Sequence, residues 1–253
     1  MATLHEQYRP SVWDDVAGQP EAVRTIRTVM ARSWGGRAYW ISGPSGTGKT
    51  TLARLIAKEG ADSLFTEELE ARDLSITKLR ELQADWRYRA MSSKPGKALI
   101  CNESHGLGAP VIRSLLVVLD PLPAHVAVIF TTTATGQARL FEDDRDGDCA
   151  PLLSRCTEVE TVASLEPLAR RAQTIARAEG VDGLPLDVYT AVLSGLNGNL
   201  RALLDRIESG KFRHNALEAL VSMRQGARAA KGADGERRRQ ELDGLIAKLK
   251  SQI

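Results

Sequence analysis

The chain has 253 residues, enough to bury a sizeable core in one or two domains, and its 43% hydrophobic and 26% charged content is that of a soluble globular protein. A formal net charge of +2 supplies no global field for nucleic acid, so any such surface has to be a local patch. Three cysteines, Cys101, Cys149 and Cys156, form neither a Cys-x-x-Cys pair nor a zinc spacing, which excludes a disulfide framework and fits a reducing compartment.

The first residues, Met1 to Tyr8, carry no basic region followed by an apolar one, so no signal peptide is expected. The longest apolar stretch, 115–130, is interrupted by Asp120, Pro121 and Pro123, so no bilayer span is expected and the location read from the sequence is cytoplasmic. Residues 20–32 place Val23, Ile26, Val29 and Met30 on one helical face, with Pro20 suited to the helix start. The apolar run from Ala38 to Ser42 reads as a strand, and a helix follows from the region of Gly48 to Glu59, stopped by Gly60. Residues 66–92 read as polar helix with Leu74, Ile76, Leu79 and Leu82 as its buried positions.

A Ser-Ser-Lys-Pro-Gly turn at 92–96 leads into Ala98-Leu99-Ile100-Cys101, a continuous apolar run of the kind found in buried parallel strands, with Cys101 as a buried thiol. Residues 110–119 read as a helix, and Val126 to Phe130 as a second buried strand. Strands alternating with helices imply an α/β fold, a parallel sheet covered by helices. Residues 142–148 are acidic and read as a solvated loop, without the following glutamate that a calcium loop needs. From Glu166 onward the pattern is helical. The expected organisation is an α/β domain at 1–163, a small all-α domain at 164–209 and a C-terminal helical segment at 210–253, whose Leu242, Leu245, Ile246 and Leu249 make one apolar stripe.

The strongest motif is Gly43-Pro44-Ser45-Gly46-Thr47-Gly48-Lys49-Thr50, a phosphate-binding loop between strand and helix. Its glycines let successive backbone N–H groups turn inward on an anion, and the helix start points its positive end the same way. Lys49 is expected on the β- and γ-phosphates and the Thr50 hydroxyl on Mg²⁺, with Thr51 completing the nucleotide-binding set. An NTPase also needs an acid on a neighbouring strand to hold the metal, and a base to orient water. The strand at 98–101 ends in Asn102-Glu103-Ser104-His105, which puts Glu103 in the place of the water-orienting carboxylate and Asn102 where aspartate usually stands. An amide can accept from a metal-bound water but lacks the charge that favours the cation, which leaves open either slow hydrolysis or nucleotide binding with little turnover. At the end of the second strand Thr131-Thr132-Thr133 offers hydroxyls to a γ-phosphate or to attacking water.

Taken in order, Glu6-Gln7-Tyr8-Arg9-Pro10, Val16-Ala17-Gly18-Gln19, the phosphate loop, Asn102-Glu103-Ser104-His105, the threonine tip, Ser154-Arg155-Cys156 and Gly198-Asn199-Leu200-Arg201 resemble the AAA+ clamp-loader ATPases. Replication factor C small subunits and the bacterial DNA polymerase III gamma/tau subunit are of this family, and the resemblance covers residues 4–208. It implies an ATP-binding and ATP-hydrolysing subunit of a sliding-clamp loader in DNA replication. ATP and Mg²⁺ would be its cofactors. Other loader subunits, the clamp and the phosphates of primer–template DNA would be its partners, with no membrane involved.

By the same resemblance Tyr8, Arg9, Pro10, Val16 and Gly18 would line the adenine pocket. Glu103 would be the catalytic carboxylate, Thr133 the first sensor and Arg201 the second, while Arg155 would be a finger acting on the nucleotide of an adjacent subunit. The chain lacks a cysteine cluster between the loop and residue 98, which moves the likeness toward replication factor C or a phage-type loader. Residues 211–253 would form at most a reduced version of the family's helical collar. Two other readings stand beside this one: another DNA-acting AAA+ ATPase (a helicase loader or branch-migration motor), and a non-catalytic nucleotide-bound subunit that lends Arg155 to an active neighbour.

Overall fold

The computed structural model describes residues 2–133, 149–181, 184–229 and 233–250, which fall into two compact units. The first spans Pro10–Val162 and contains α2 (Pro20–Met30), β1 (Arg37–Ser42), α3 (Lys49–Gly60), β2 (Ala61–Glu70), α4 (Ile76–Asp85), β3 (Gly96–Asn102), α5 (Ala109–Leu119), β4 (Val126–Thr132), α6 (Cys149–Leu153) and β5 (Cys156–Glu160). The second joins residues 1–9, with α1 (Leu4–Gln7), to Ala163–Ile253, with α7 (Leu165–Ala178), α8 (Leu186–Gly195), α9 (Leu200–Glu208), α10 (Phe212–Ala229) and α11 (Ala233–Lys250).

In the first unit five strands form one parallel sheet in the order β2-β3-β4-β1-β5. Alternation along each central strand divides the core in two, because successive side chains point to opposite faces. Tyr39, Ile41, Ala98, Ile100, Ala127 and Ile129 face α2 and α3, where Ile26, Leu52, Ala53 and Ile56 meet them. Ala38, Trp40, Leu99, Cys101, Val128 and Phe130 face α4 and α5, where Leu79, Leu82, Ile112 and Leu115 complete the second layer. Both sheet faces are therefore dry, which explains why β3 and β4 are buried at every position and read as unbroken apolar runs. The α/β class with a helix-flanked parallel sheet is as expected from the sequence.

Two strands escape the periodicity. Residues 61–70 form edge strand β2, where the sequence reading begins a polar helix at 66. Asp, Ser, Thr and Glu are frequent there, Leu64 is exposed, and the register with β3 shifts between Ala61 and Thr66, so no period-2 apolar signal survives. Hydrogen bonding to β3, not burial, supplies the stabilisation of such a strand. The helix in that region is shorter, Ile76–Asp85, with Ser75 as N-cap accepting from the Lys78 N–H; Leu74, Leu79 and Leu82 are buried as expected and Ile76 only partly so. β5 also carries a single buried residue, Val159, and is held by its parallel pairing to β1.

In the helical unit α7, α8 and α9 bury Leu168, Ala172, Ile175, Tyr189, Leu193, Leu203 and Ile207, and the rings of Tyr189 and Phe212 pack 4.7 Å apart. Leu242 and Leu249 of the C-terminal stripe are buried. The first nine residues pack with this unit, although the sequence reading assigns them to the α/β domain. Leu4 is buried, its N–H donates to Glu208 Oε2 at 3.2 Å, and His5 Nδ1 lies 3.2 Å from Asp205 Oδ1, both on α9.

Candidate nucleotide-binding site

Because all five strands are parallel, the carboxyl ends of β1, β3 and β4 open on one edge of the sheet, the place where ligands bind in open α/β folds. The phosphate loop leaves β1 at Ser42. Gly43 has φ +142°, and a Cβ there would stand 2.2 Å from Thr161 Oγ1 and 2.4 Å from the Thr161 carbonyl oxygen, so nothing larger fits. Gly48, at φ +101°, is needed for its backbone conformation alone, since a Cβ there would meet nothing within 4 Å.

The loop is fastened from behind. Thr47 is buried, donates from Oγ1 to the Pro44 carbonyl at 2.8 Å and lies 2.7 Å from Thr161 Oγ1. Buried Gln19 donates from Nε2 to the carbonyls of Thr47 (3.2 Å) and Val162 (2.6 Å), and accepts from the Val162 N–H at 3.1 Å. Lys49 Nζ is drawn into the loop, donating to the carbonyls of Gly43 at 2.9 Å and Pro44 at 2.8 Å. A buried lysine ammonium beside a helix start and glycine-bearing loop is the arrangement that receives an anion such as a polyphosphate. The loop therefore fits a nucleotide's phosphates.

Thr50 Oγ1 donates to Asn102 Oδ1 at 3.3 Å, and Thr131 Oγ1 donates to the same oxygen at 2.9 Å. Asn102 Nδ2 donates to Glu68 Oε1 at 3.0 Å, and Glu68 is held in turn by Arg54 Nε at 2.7 Å and Nη2 at 3.0 Å. Thr50 and Asn102 present hard oxygen atoms side by side, a donor type that suits Mg²⁺. Among the described residues no three or more His, Cys, Asp or Glu gather as a metal site, so a cation here would complete its shell from phosphate and water. The acidic stretch 142–148 lies outside the described residues.

Glu103 follows β3 in the left-handed region (φ 50°, ψ 48°), which only a few per cent of non-glycine residues adopt. Its Oε2 accepts from Thr133 Oγ1 at 3.1 Å and lies 3.4 Å from His105 Nδ1, which is itself 3.3 Å from Thr132 Oγ1. The carboxylate and the hydroxyl that the sequence selects as catalytic residue and first sensor are thus in contact. Gly43 to Thr51, Asn102, Glu103 and Thr133 come together at the sheet edge. Pro10, Val16 and Gly18 lie in the same unit, Val16 packed on the α2/α3 face of the core and Gly18 buried just before α2.

Tyr8, Arg9 and Arg201 belong to the helical unit. The Tyr8 hydroxyl donates to Glu179 Oε1 at 2.7 Å, which raises its pKa, and its carbonyl accepts from Arg171 Nη2 at 3.1 Å. Arg201 is exposed in the first turn of α9, behind the N-cap Asn199 whose Oδ1 accepts the Ala202 N–H at 3.0 Å. Arg155, between α6 and β5, is bound to Asp120 at the end of α5. Gln19, Glu68, Thr131 and Thr161 are structural members of the site that sequence reasoning did not select. Gln19 and Thr131 stand inside motifs that were read, whereas Glu68 lies on the unrecognised edge strand and nothing in the sequence marks Thr161.

Comparison with known proteins agrees with this geometry. Residues 39–141 match the family described as ATPase family associated with various cellular activities (AAA). The DNA polymerase III subunit tau of Bacillus subtilis is 27% identical over 153 residues, 51% of this chain and 27% of that protein. The DNA polymerase III subunit gamma of Buchnera aphidicola is 25% identical over 230 residues (81% and 60%), and the replication factor C small subunit of Haloarcula marismortui 26% identical over 217 residues (81% and 61%). The chain thus spans less than two thirds of the length of these relatives. Among solved structures, a Thermotoga maritima RuvB variant superimposes with a TM-score of 0.63 at 16% identity, covering 85% of this chain and 72% of that one, which shows a shared fold. Among the described residues no helix is long and apolar enough to cross a membrane.

Proposed function

We propose that this chain, which carries an AAA domain with relatives named as DNA polymerase III gamma/tau and replication factor C small subunits, is an ATP-binding and ATP-hydrolysing subunit of a DNA sliding-clamp loader. The observation that carries the reading is the meeting of loop, Thr50–Asn102 and Glu103–Thr133 at one edge of the sheet. The loop amides and Lys49 would hold the β- and γ-phosphates; Thr50 and Asn102 would hold Mg²⁺, which supplies neutralisation of phosphate charge when bound. Glu103 would orient the attacking water and Thr133 would fix the direction of that carboxylate. Tyr8, Arg9, Pro10, Val16 and Gly18 would receive the adenine, Arg201 would sense the γ-phosphate, and Arg155 would complete a neighbouring subunit's site. The partners of such a subunit are other loader subunits, a clamp and the phosphates of primer–template DNA, all in the cytoplasm. Residues 10–163 would serve as nucleotide domain, 164–209 together with the first nine residues as lid, and 210–253 as reduced collar.

Asn102 favours one second reading, a nucleotide-bound subunit that hydrolyses little and contributes Arg155 to an active partner. Steady-state ATP hydrolysis with and without primed DNA separates the two. Hydrolysis stimulated by DNA and lost in Arg155→Ala supports the catalytic subunit; ATP binding without turnover in any condition supports the second reading. Absence of ATP binding defeats both.

A further inference from the structure

The replacement of a carboxylate by an amide at position 102 has a geometric consequence. A carboxylate is the same at both oxygens, so either flip presents an acceptor to a cation; an amide offers an acceptor at one end and two N–H donors at the other. Turned the wrong way, Asn102 would aim positive hydrogens at Thr50 and the metal beside it. The structure contains the group that sets the orientation. Glu68 Oε1 lies 3.0 Å from the amide and can only accept, so the end facing it is Nδ2 and the end facing Thr50 is Oδ1. Thr131, buried at the end of β4, donates to Oδ1 at 2.9 Å and favours the same orientation. Glu68 does not wander, because Arg54 on α3 grips both its oxygens, at 2.7 and 3.0 Å.

We infer that Glu68 is a positioning residue for the magnesium site: through Asn102 Nδ2 it fixes the amide so that Oδ1 is the atom presented beside Thr50. This rests on the reading of the site as one for Mg–ATP. The same geometry makes Glu68 and Asn102 a matched pair. An aspartate at 102 would set a carboxylate oxygen against Glu68 Oε1 at about the same separation, and like charges that close oppose each other's ionisation. Restoring the usual aspartate alone therefore does not restore a good metal site here; it does so only when Glu68 is neutralised.

The test is a Mg²⁺ titration of binding of a fluorescent ATP analogue to the full chain, repeated in EDTA, for wild type, Glu68→Ala, Glu68→Gln, Asn102→Asp and Asn102→Asp/Glu68→Gln. Removal of an outer partner of a metal ligand costs metal affinity about 10- to 100-fold. Glu68→Ala is expected to raise the Mg²⁺ half-point at least about tenfold while leaving binding in EDTA unchanged. Glu68→Gln, which keeps an acceptor for Nδ2, should recover most of that loss. Asn102→Asp should bind Mg²⁺ more weakly than the double variant, a comparison that stands even if Glu68→Ala does not fold. An unchanged half-point in Glu68→Ala, an equal loss with and without Mg²⁺, or Asn102→Asp matching the double variant overturns the inference while leaving the nucleotide site intact. A wild-type chain that binds no ATP analogue in either buffer overturns that site and this inference with it.

Discussion

Arg155 is held by Asp120 through a two-point ion pair, with Nε to Oδ1 at 2.6 Å and Nη2 to Oδ2 at 3.2 Å, while Nη1 donates to the Pro151 carbonyl at 2.9 Å. The guanidinium is thus fixed in direction by contacts within its own chain. Planar, two-point binding is what an arginine does better than a lysine. If it serves a neighbour's nucleotide, Arg155→Ala should lower hydrolysis about 1,000-fold with ATP affinity unchanged. A mixture of Arg155→Ala with Lys49→Ala chains, one with intact sites and the other with intact fingers, should then be more active than either alone. No rescue in the mixture would place any effect of Arg155 within its own chain.

The same pair gives a pH dependence of defined sign. The hydrogen bonds from Arg155 hold the Asp120 carboxyl below its ordinary range. The unfolded chain lacks the pair, so its stabilisation is fully present above the ordinary aspartate pKa and fades as the pH falls through the depressed value. Asp120→Asn should therefore flatten the acid side of a melting-temperature curve recorded in low salt, by a small amount because the pair is exposed. Superimposable curves for the two chains would refute this.

At Gly43, alanine would have to push its methyl into Thr161 while keeping φ at +142°. Backbone strain and overpacking each cost about 1–3 kcal/mol, so Gly43→Ala should lose at least about 2 kcal/mol in urea unfolding. Gly48→Ala, which meets no neighbouring atom, should lose less. The order of the two is the check.

Gln19→Ala strips the Val162 N–H and carbonyl and the Thr47 carbonyl of their partner. Leaving the buried Thr47 carbonyl unsatisfied costs about 1–3 kcal/mol, while the groups of exposed Val162 can turn to water, so a loss of about 1–3 kcal/mol is expected. ATP affinity should fall as well, because the loop is fastened through Thr47. A variant that loses stability but binds ATP as before would separate the fastening from the site.

How much of this was legible in the sequence depended on which residues face the core. β1, β3 and β4 are buried on both faces, so their composition announces them; β2 and β5 sit at the sheet edges, carry charged residues and owe their existence to backbone pairing with a neighbour. The phosphate loop and Glu103 were legible because the chemistry calls for those residue types at that spacing, and Asn102 because it stands where an aspartate is expected. Glu68, Gln19 and Thr161 were not, because each acts at a separation of 28 or more residues from its partner in the site, through a contact that only the folded sheet creates.

Burial pushes the thiols of Cys101 and Cys156 up to about 12. Thiolate is the reactive form, so both should resist alkylation at pH 8 in the folded chain and react once it is unfolded in urea. Peptide mapping after iodoacetamide treatment reads each site separately. Labelling of Cys101 under native conditions would mean that the sheet opens at β3.

The left-handed backbone at Glu103 sets folding stability and side-chain chemistry against each other at that position. Glycine or asparagine would occupy that conformation at lower cost, and sequences drifting under pressure for folding alone would settle there. Glutamate at the tip of β3 instead holds that conformation at a cost to stability. Variants that regain thermal stability at position 103 should surface readily in a screen blind to nucleotide chemistry, and vanish from one that requires it.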